Sequence, residues 1–215
     1  MSDDTRRATP PTPDPAPDGT DWEGRWQSGD TPWDLGRAPP SLEQTLAQLG
    51  STPLDVAVPG AGRAHDALAF AAAGHRVTAI DIAPSALAAA ATQAEALDLP
   101  LTLLEADWLD PSAHAPATFD LVWEQTCYCA IPPARRADYA RTLARVLRPG
   151  GRYVGLFWQH GREGGPPYHV TPAAVASDIG PWFEIEIIEV LAAEDSLRGD
   201  EFLLTAVRKA QEDGA

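Results

Sequence analysis

Residues 54–82 read LDVAVPGAGRAHDALAFAAAGHRVTAIDI, and this stretch decides the fold. Its first apolar run, 54–58, leads into a turn that contains two glycines, and its second run ends near Asp81. The alanine-rich residues between the runs predict a helix over 64–73, which Gly74 ends. Two short apolar runs joined by a helix are typical of neighbouring parallel strands in a sheet that is covered on both faces.

The turn after the first strand has the features of a ligand-binding loop. Gly60 and Gly62 allow a tight turn and a close approach of the backbone to a ligand at a helix N-terminus. Asp81 follows about 20 residues later, where a carboxylate can accept both hydroxyls of a ribose. His65 stands where a dinucleotide fingerprint has its third glycine, which disfavours a nicotinamide cofactor. The alternative is a plain strand-to-helix turn followed by a solvated aspartate.

The middle of the chain continues the alternation of strand and helix. The runs LTLLEA, FDLVW and RYVGLFW predict further buried parallel strands. One helix is predicted in the alanine-rich stretch after Pro84, and another over 134–147, where residues 149–151 (PGG) break it. The apolar face of the second helix consists of Tyr139, Leu143, Val146 and Leu147. This is the pattern of a doubly wound α/β fold.

The end of the chain departs from that alternation. The strands FEIEIIEVL and EFLLTAVRK are joined by AAEDSLRGD, which is too short for a helical crossover and predicts an antiparallel hairpin. The predicted fold class is therefore α/β, with a doubly wound, mostly parallel seven-stranded sheet that ends in an antiparallel hairpin.

We expect one folded domain with a tail at each end. Residues 1–20 are rich in Pro, Asp and Thr and predict a disordered tail, and residues 209–215 predict a flexible one. The domain spans 21–208 and opens with a tryptophan-rich cap over 21–50. Within the cap, Gly and Pro residues argue against a continuous helix before Ser41. There Ser41 and Gln44 predict a capping box and Gly50 a helix end.

Composition excludes several classes of function. The formal net charge is −15 with no basic stripe, so a nucleic-acid partner is not expected. No run approaches the roughly 20 apolar residues of a membrane span, and the N-terminus has no signal-peptide pattern, so we expect a cytoplasmic protein. Cys127 and Cys129 are predicted on an extended segment with their side chains on opposite faces, which disfavours a disulfide between them. The two cysteines and five histidines show no metal-ligand spacing.

Two further strand ends carry candidate ligand groups. Asp107 and Trp108 end the third strand, where a carboxylate can accept the exocyclic amine of an adenine and an indole can cover its ring. A solvated aspartate and a core tryptophan are the alternative. Glu124 and Gln125 end the fourth strand and face the same crevice. Glu124 binds an amino group or holds an acceptor there, or it is an ordinary partner in a salt bridge at the strand end.

The motifs together resemble a known family. WEGRWQSGDTPWDLGRAPPSL, VPGAGRAHDALAFAAAGHRVTAIDIAPSAL, FDLVWEQTCYCAIPPARRADYARTLARVLRPGGRYVGLFW and GGPPYHVT cover nearly all of 22–171. They resemble the thiopurine methyltransferase-like superfamily, in particular its thiol and halide methyltransferase branch. The resemblance implies a class I fold and S-adenosylmethionine as cofactor, without a metal. The cofactor contacts that it implies come from Trp22, Trp26, Trp33, Gly60, Asp81, Asp107 and Trp108.

The tryptophans fit that implication, because aromatic faces attract the positive charge of a sulfonium. The alternative, which is compatible with it, is a hydrophobic lid packed on the core. Gly62, Glu124 and Gln125 complete the predicted cofactor site.

The acceptor side departs from the family pattern. Gln125 stands where the branch commonly has a tyrosine, and Cys127 and Tyr128 replace phenylalanines. We expect a small soft nucleophile, most simply a thiol or a thiol-like or halide anion, oriented by Tyr128, Tyr168 and Arg162. The predicted assembly is a monomer or a weak homodimer. A nicotinamide-dependent oxidoreductase and a non-catalytic sensor of the cofactor remain the alternatives.

Overall fold

The computed structural model describes residues 19–210, which form an α/β domain. Its helices are α1 (Trp22–Ser28), α2 (Pro40–Leu49), α3 (His65–Ala72), α4 (Pro84–Leu97), α5 (Arg136–Val146) and α6 (Pro172–Ile179). Its strands are β1 (Asp55–Pro59), β2 (Arg76–Asp81), β3 (Thr102–Glu105), β4 (Phe119–Gln125), β5 (Leu147–Trp158), β6 (Phe183–Val190) and β7 (Glu201–Arg208). Residues 1–18 of the tail predicted over 1–20, and residues 211–215 of the tail predicted over 209–215, lie outside the described residues.

The seven strands form one sheet in the order β3-β2-β1-β4-β5-β7-β6. Strands β1 to β5 are parallel, whereas β7 runs antiparallel to both of its neighbours, β5 and β6. The predicted fold class and its terminal hairpin are therefore confirmed. The chain reverses its direction of travel across the sheet between β1 and β4, and ligands of doubly wound sheets bind at such a switch point.

Helices cover both faces of the sheet, which explains why its central strands are mostly apolar. On one face, α5 buries its predicted apolar side, and Tyr139, Leu143, Val146 and Leu147 are all inaccessible to solvent. On the other face, α2 and α3 pack Leu42 and Phe70 into a second cluster with Trp123. Burial of this kind supplies most of the free energy that holds a parallel sheet together.

The start of α2 differs from the prediction. The helix begins at Pro40 with Pro39 as its N-cap residue, and no side chain caps it. Proline fits the first helical position, because its fixed φ suits the helix and that position needs no N–H donor. Ser41 therefore lies inside the helix, where its buried hydroxyl has no partner among the described residues, and the capping box does not form. Gly50 ends the helix as predicted.

Three further segments depart from the sequence-based expectation. Cys127 caps a 3-10 turn that contains Cys129, so neither cysteine lies on an extended segment, because the chain turns immediately after β4. Strand β5 begins at Leu147 and runs through the predicted break at 149–151. Helix α6 has no counterpart among the named predicted helices; Thr171 caps it by accepting a hydrogen bond from the Ala174 N–H.

The cap contains more regular structure than its glycines and prolines indicated. Asp21 caps α1 by accepting the Gly24 N–H at 2.8 Å, and Gly29 ends the helix in the left-handed conformation. Within residues 19–210, none of the helices is both long and apolar enough to cross a membrane.

Candidate functional site

A cavity of about 640 Å³ opens at the carboxyl ends of the parallel strands. Its volume is in the usual range for a site that holds a cofactor or a small ligand. Its lining includes most of the predicted site residues: Trp22, Trp26, Trp33, Gly60, Gly62, Asp81, Asp107, Trp108, Glu124, Gln125 and Arg162. The topology therefore brings the cap, the glycine turn and four strand ends around one space.

The glycine turn is built for close packing. Gly60 and Gly62 have φ values of +58° and +55°, a region that favours glycine. A Cβ added at Gly60 would lie 2.8 Å from Cβ of Cys127, and one added at Gly62 would lie 3.1 Å from a ring carbon of Trp26. Side chains at these two positions would therefore disturb the packing of the turn against Cys127 and Trp26.

Asp81 anchors the glycine turn through a hydrogen bond, and its carboxylate can still accept hydrogen bonds from a ligand. Its side chain is buried and accepts hydrogen bonds from the Gly62 N–H at 2.8 Å and the Ala83 N–H at 2.9 Å. Burial raises the pKa of this carboxyl despite those bonds. Each oxygen keeps a second lone pair, so the carboxylate can also accept two ribose-type hydroxyls. A solvated aspartate at this position is excluded.

The end of β3 forms a further wall of the cavity. Asp107 accepts the Leu109 N–H at 2.8 Å through one oxygen. Trp108 is buried and packs against His114 and Tyr139, with ring centroids 5.1 and 5.9 Å away. Its indole N–H has no partner among the described residues. Trp108 is thus both a core residue and a wall of the site, so the two readings of this position are compatible.

The three cap tryptophans form one aromatic cluster above the glycine turn. The ring of Trp33 meets those of Trp22 and Trp26 edge to face, at centroid distances of 5.3 and 6.1 Å. The Arg25 guanidinium carbon lies 4.4 Å from the Trp33 centroid, and that of Arg63 lies 5.4 Å from the Trp26 centroid. Cations therefore already lie over these rings, as the quadrupole of an aromatic ring favours.

Polar contacts that the sequence pattern did not reveal hold the cap down. Asp34 binds Arg63 Nε at 2.7 Å and His65 Nε2 at 3.1 Å, both at the end of the glycine turn. Hydrogen bonds and these two partners hold the pKa of the Asp34 carboxyl below its usual value, although burial opposes the shift. Spacing along the chain could not identify this cluster, because its members approach each other only in the folded protein.

Glu23 makes a second fastening between the cap and the sheet domain. Its carboxylate accepts the Ser85 N–H at 2.9 Å and the Ser85 hydroxyl at 2.5 Å, at the N-terminus of α4. A carboxylate at this position satisfies a free N–H of the helix and interacts favourably with the helix dipole. The cap is therefore attached at two separate points.

Two of the carboxyls that line the cavity, Asp66 and Glu124, are buried. Glu124 accepts the Tyr128 N–H and the Tyr139 hydroxyl, each at 2.7 Å, and Asp66 accepts the Trp123 indole N–H at 2.6 Å. Burial raises the pKa of each of these two carboxyls to about 7. Both oxygens of Glu124 are thus engaged by the protein, and this geometry favours a role in positioning the turn after β4 over direct contact with a ligand.

Two of the three predicted acceptor-orienting residues do not line the cavity. Tyr128 is fully buried, and its hydroxyl donates to Asp178 of α6, because the turn after β4 points the side chain into the core. Tyr168 lies outside the lining, where its N–H donates to the Cys129 carbonyl at 2.7 Å. Arg162 does line the cavity, and its guanidinium carbon is 4.8 Å from the Trp158 ring centroid.

Both cysteines line the cavity as free thiols. Burial raises the pKa of Cys129 to about 12 and that of Cys127 well above its usual value. Both are therefore neutral thiols at physiological pH, and neither is a reactive thiolate. Among residues 19–210, no group of three or more His, Cys, Asp and Glu side chains is arranged to hold a metal ion.

Comparison with known proteins identifies close relatives. A family model described as thiopurine S-methyltransferase matches residues 18–213. The chain is 34% identical to a probable thiol methyltransferase 2 of Arabidopsis thaliana, over 70% of this chain and 67% of that protein. It is 36% identical to thiocyanate methyltransferase 1 of Brassica oleracea, with the same coverage of 70% and 67%.

The same fold occurs in solved methyltransferases. The chain superposes on the 1,6-didemethyltoxoflavin-N1-methyltransferase of Burkholderia thailandensis, solved with bound S-adenosylhomocysteine, with a TM-score of 0.68. The match covers 87% of this chain and 85% of that one, at 20% sequence identity, and it shows the fold alone.

Proposed function

Because the chain belongs to the thiopurine S-methyltransferase family of S-adenosylmethionine-dependent methyltransferases, we propose that it methylates the sulfur of a small thiol. One observation carries the choice of acceptor. The part of the cavity next to β4 and β5 is lined by Cys127, Cys129, Phe157 and Trp158, which are soft or aromatic side chains. Polarisable sulfur and aromatic rings pack well against a sulfur atom. The two alternatives, a nicotinamide-dependent oxidoreductase and a non-catalytic sensor, gain no support from the family or from the relatives.

The names of the relatives support this acceptor chemistry. One is called a thiol methyltransferase and another a thiocyanate methyltransferase, so each name refers to a soft sulfur nucleophile. We propose the same class for this chain and prefer a thiol to a halide, because the wall near β4 and β5 is large enough to contact an organic substituent as well as the reacting sulfur.

The residues on the β1 to β3 side fit the cofactor. Gly60 and Gly62 line the cavity with backbone alone, and the buried carboxylate of Asp81 has free lone pairs for ribose hydroxyls. We propose that Asp107 and Trp108 hold the adenine and that Trp22, Trp26, Trp33 and Gln125 complete the cofactor site. Glu124 acts through the turn that it anchors.

When bound, S-adenosylmethionine would supply a methyl group on a cationic sulfur. The acceptor thiolate would form the new S–C bond, and the bonding electron pair would remain on the cofactor sulfur, which gives neutral S-adenosylhomocysteine. The protein's contribution is to align the reacting atoms and to exclude water, and both depend on the fastened cap. A strong base is not required, because a free thiol with a pKa near 8.5 is already a few per cent ionised at neutral pH.

The protein's own thiols do not compete for the methyl group. Cys127 and Cys129 line the same wall, but burial keeps them protonated and therefore weakly nucleophilic. They give the acceptor a soft surface and remain unmodified.

We also propose a cytoplasmic setting in which the enzyme acts on a small molecule as a monomer or a weak homodimer. Two free cysteines are usual for a reducing compartment. The net charge of −15 opposes binding to nucleic acids.

A matched acceptor panel tests the proposal. The protein is incubated with S-adenosylmethionine labelled in the methyl group and with thiophenol, phenol or aniline, which differ only in the reacting atom. We expect label in the methyl thioether and none above background in the other two products, with the product identified by mass spectrometry. Transfer only to oxygen or nitrogen, or no transfer to any member of a wide thiol panel, would overturn the thiol assignment.

A further inference from the structure

Two arginines of the cavity have no carboxylate partner. Arg37 and Arg162 both line it, and within residues 19–210 neither guanidinium forms an ion pair or a hydrogen bond. The chain has 31 acidic residues against 16 basic ones, so potential partners are abundant. Two unpaired guanidinium groups in so acidic a chain are available to an anion that enters the cavity.

The other arginines of the cavity are already neutralised. Arg25 pairs with Asp30 at 3.0 Å, Arg63 with Asp34 at 2.7 Å, and Arg198 with Glu201 at 3.4 Å. This contrast separates structural arginines, which fasten the cap and the hairpin, from the two that have no structural partner.

Arg162 lies at the β5 end of the cavity. It follows β5 closely, and its guanidinium stacks over Trp158, the last residue of that strand. Trp158 pairs across the sheet with Glu201, the first residue of β7. The two carboxylates proposed to bind the cofactor lie in the other half of the sheet, where Asp81 ends β2 and Asp107 follows β3.

Arg37, like Arg162, is held near the end of the cavity that β5 and β7 form. Before it along the chain, the Trp33 carbonyl accepts a hydrogen bond from Arg198 at 2.8 Å. After it, Gln44 donates to Asp195 at 3.0 Å. Both anchors belong to the connection between β6 and β7, so the segment between them, which includes Arg37, lies on the acceptor side of the cavity.

We propose that the acceptor carries a permanently anionic group besides its thiol, a carboxylate in the simplest case, and that Arg162 and Arg37 bind it. This inference rests on the proposed thiol methylation and narrows its substrate class. The planar guanidinium matches a carboxylate with two parallel hydrogen bonds. The net charge of −15 repels anions at a distance, so unpaired cations inside the cavity are what admits an anionic substrate.

A pair of isosteric thiols tests the inference. Steady-state kinetics compare 3-mercaptopropionate with 3-mercaptopropionamide, at equal thiolate concentrations, in wild type, Arg162→Gln, Arg37→Gln and the charge-keeping Arg162→Lys. We expect wild type to favour the carboxylate at least tenfold in kcat/KM. Each Gln variant should lower kcat/KM for the carboxylate about tenfold, mainly through KM, and leave the amide within twofold. Arg162→Lys should keep most of the preference.

The control variant is Arg152→Gln, which removes an exposed arginine of β5 that faces Glu186 outside the cavity. It should change neither substrate. Calorimetry with S-adenosylhomocysteine should give unchanged affinity in both Gln variants.

Three outcomes overturn the inference. One is equal turnover of the two thiols by wild type. Another is an unchanged preference in both Gln variants, and the third is a loss of S-adenosylhomocysteine affinity, which would assign the arginines to the cofactor. In each case the thiols are still methylated, whereas failure of the proposed function appears as no methylation of any thiol.

Discussion

At the scale of single residues, burial shifts the pKa of three carboxyls of the site. Asp66, Asp81 and Glu124 are all buried, and desolvation raises the pKa of each. Each carboxyl also accepts a hydrogen bond that compensates part of this cost. Asp34, by contrast, has its pKa lowered and remains charged, as an anchor for the cap requires.

The first prediction concerns Asp81→Asn, which preserves shape but removes the charge and one acceptor. The hydroxyls of a bound ribose and the backbone N–H groups of Gly62 and Ala83 then compete for a single oxygen. A hydrogen bond to a charged group contributes about 1.5–3 kcal/mol, so we expect the Kd for S-adenosylhomocysteine to rise roughly 10- to 100-fold. The melting temperature of the free protein should fall as well, because the glycine turn loses its anchor.

Glu105→Gln is the matched control for Asp81→Asn. Glu105 pairs with Asp81 across β2 and β3, so it ends the neighbouring strand at the same sheet edge, but its side chain is exposed and lies outside the cavity lining. Calorimetry and thermal melts should give wild-type values for this control. An unchanged Kd in Asp81→Asn would remove Asp81 from the cofactor site.

The second prediction is that the stability of the folded protein depends on pH through the carboxyl of Glu124. Its pKa is about 7 in the folded protein against an ordinary value of 4.5, so the folded state holds this proton over a pH range in which the unfolded state has released it. The stability from this group is therefore fully present below about pH 4 and is lost as the pH rises through about 7.

Glu124→Gln removes that titration and keeps an oxygen for the Tyr128 N–H. The difference in melting temperature, variant minus wild type, should therefore increase between pH 5 and pH 8. A gain of at least about 3 °C is expected over this range, since 1 kcal/mol moves the melting temperature of a domain of this size by about 2–4 °C. Glu105→Gln should show a flat difference. A flat difference for Glu124→Gln as well would mean that Glu124 is ionised in the folded protein at pH 5.

The predicted acceptor residues show where sequence information ends at this scale. Arg162 was identified from the sequence, and it lies in the short segment between two motifs of the family, RYVGLFW and GGPPYHVT. Tyr128 was misplaced, because the turn after β4 depends on Glu124 accepting a backbone N–H four residues later. Arg37 and Asp34 lie within the tryptophan-rich motif, but the sequence assigned no role to either, since their roles depend on which distant groups form pairs in the folded chain.

At the scale of elements, the sequence predicted the strands and the hairpin that depend on local properties of the chain. Apolar runs specified the buried strands, and the short β6–β7 connection specified the hairpin, because each follows from burial or chain length alone. The predictions failed where two local rules competed. At α2, Pro40 starts the helix one residue before the serine that was expected to cap it. In the cap, Asp21 and Gly29 bound a short helix within a segment that glycines and prolines made appear irregular.

The third prediction is that the first part of the cap, residues 21–40, is gated by the cofactor. Its tryptophans pack mainly on one another and on two arginines, and two polar clusters, at Glu23 and Asp34, fasten it to the domain. Such a segment opens at low cost, because few of its contacts are buried apolar ones. A ligand in the cavity adds apolar surface beneath the rings and should hold the cap closed.

Hydrogen exchange followed by mass spectrometry measures this gating. The amides around Trp26 and Trp33 should gain protection when S-adenosylhomocysteine is added, while those of the β6–β7 hairpin should not change. Asp34→Ala removes the anchor at Arg63 and His65, so the cap should exchange faster than in wild type before ligand is added. Equal protection of the cap with and without ligand would show that it is a fixed part of the core.

At the scale of the whole molecule, the strand order separates the proposed cofactor site from the proposed acceptor site. The glycine turn after β1 touches the turn after β4, since a Cβ at Gly60 would lie 2.8 Å from Cβ of Cys127. The cofactor-side carboxylates of β2 and β3 lie in one half of the sheet, and the thiols and free arginines near β4 to β7 lie in the other. A methyl group held at the β1–β4 boundary would therefore face the acceptor half.

The fourth prediction follows from this arrangement: S-adenosylhomocysteine should raise the melting temperature, and NAD should not. S-adenosylhomocysteine should contact the cap, the glycine turn and Asp81 together, so it should stabilise the native state as one unit. At 100 times its Kd, a ligand that binds only the folded state adds about 2.7 kcal/mol, which is roughly 5–10 °C in melting temperature for a domain of this size. NAD at the same concentration should give no shift. His65 occupies the third glycine position of the dinucleotide fingerprint, and its side chain binds Asp34 of the cap, so the turn offers no cradle for a pyrophosphate. Asp81→Asn should reduce the shift with S-adenosylhomocysteine at fixed concentration, because its Kd is weaker. A shift with NAD and none with S-adenosylhomocysteine would contradict the cofactor assignment.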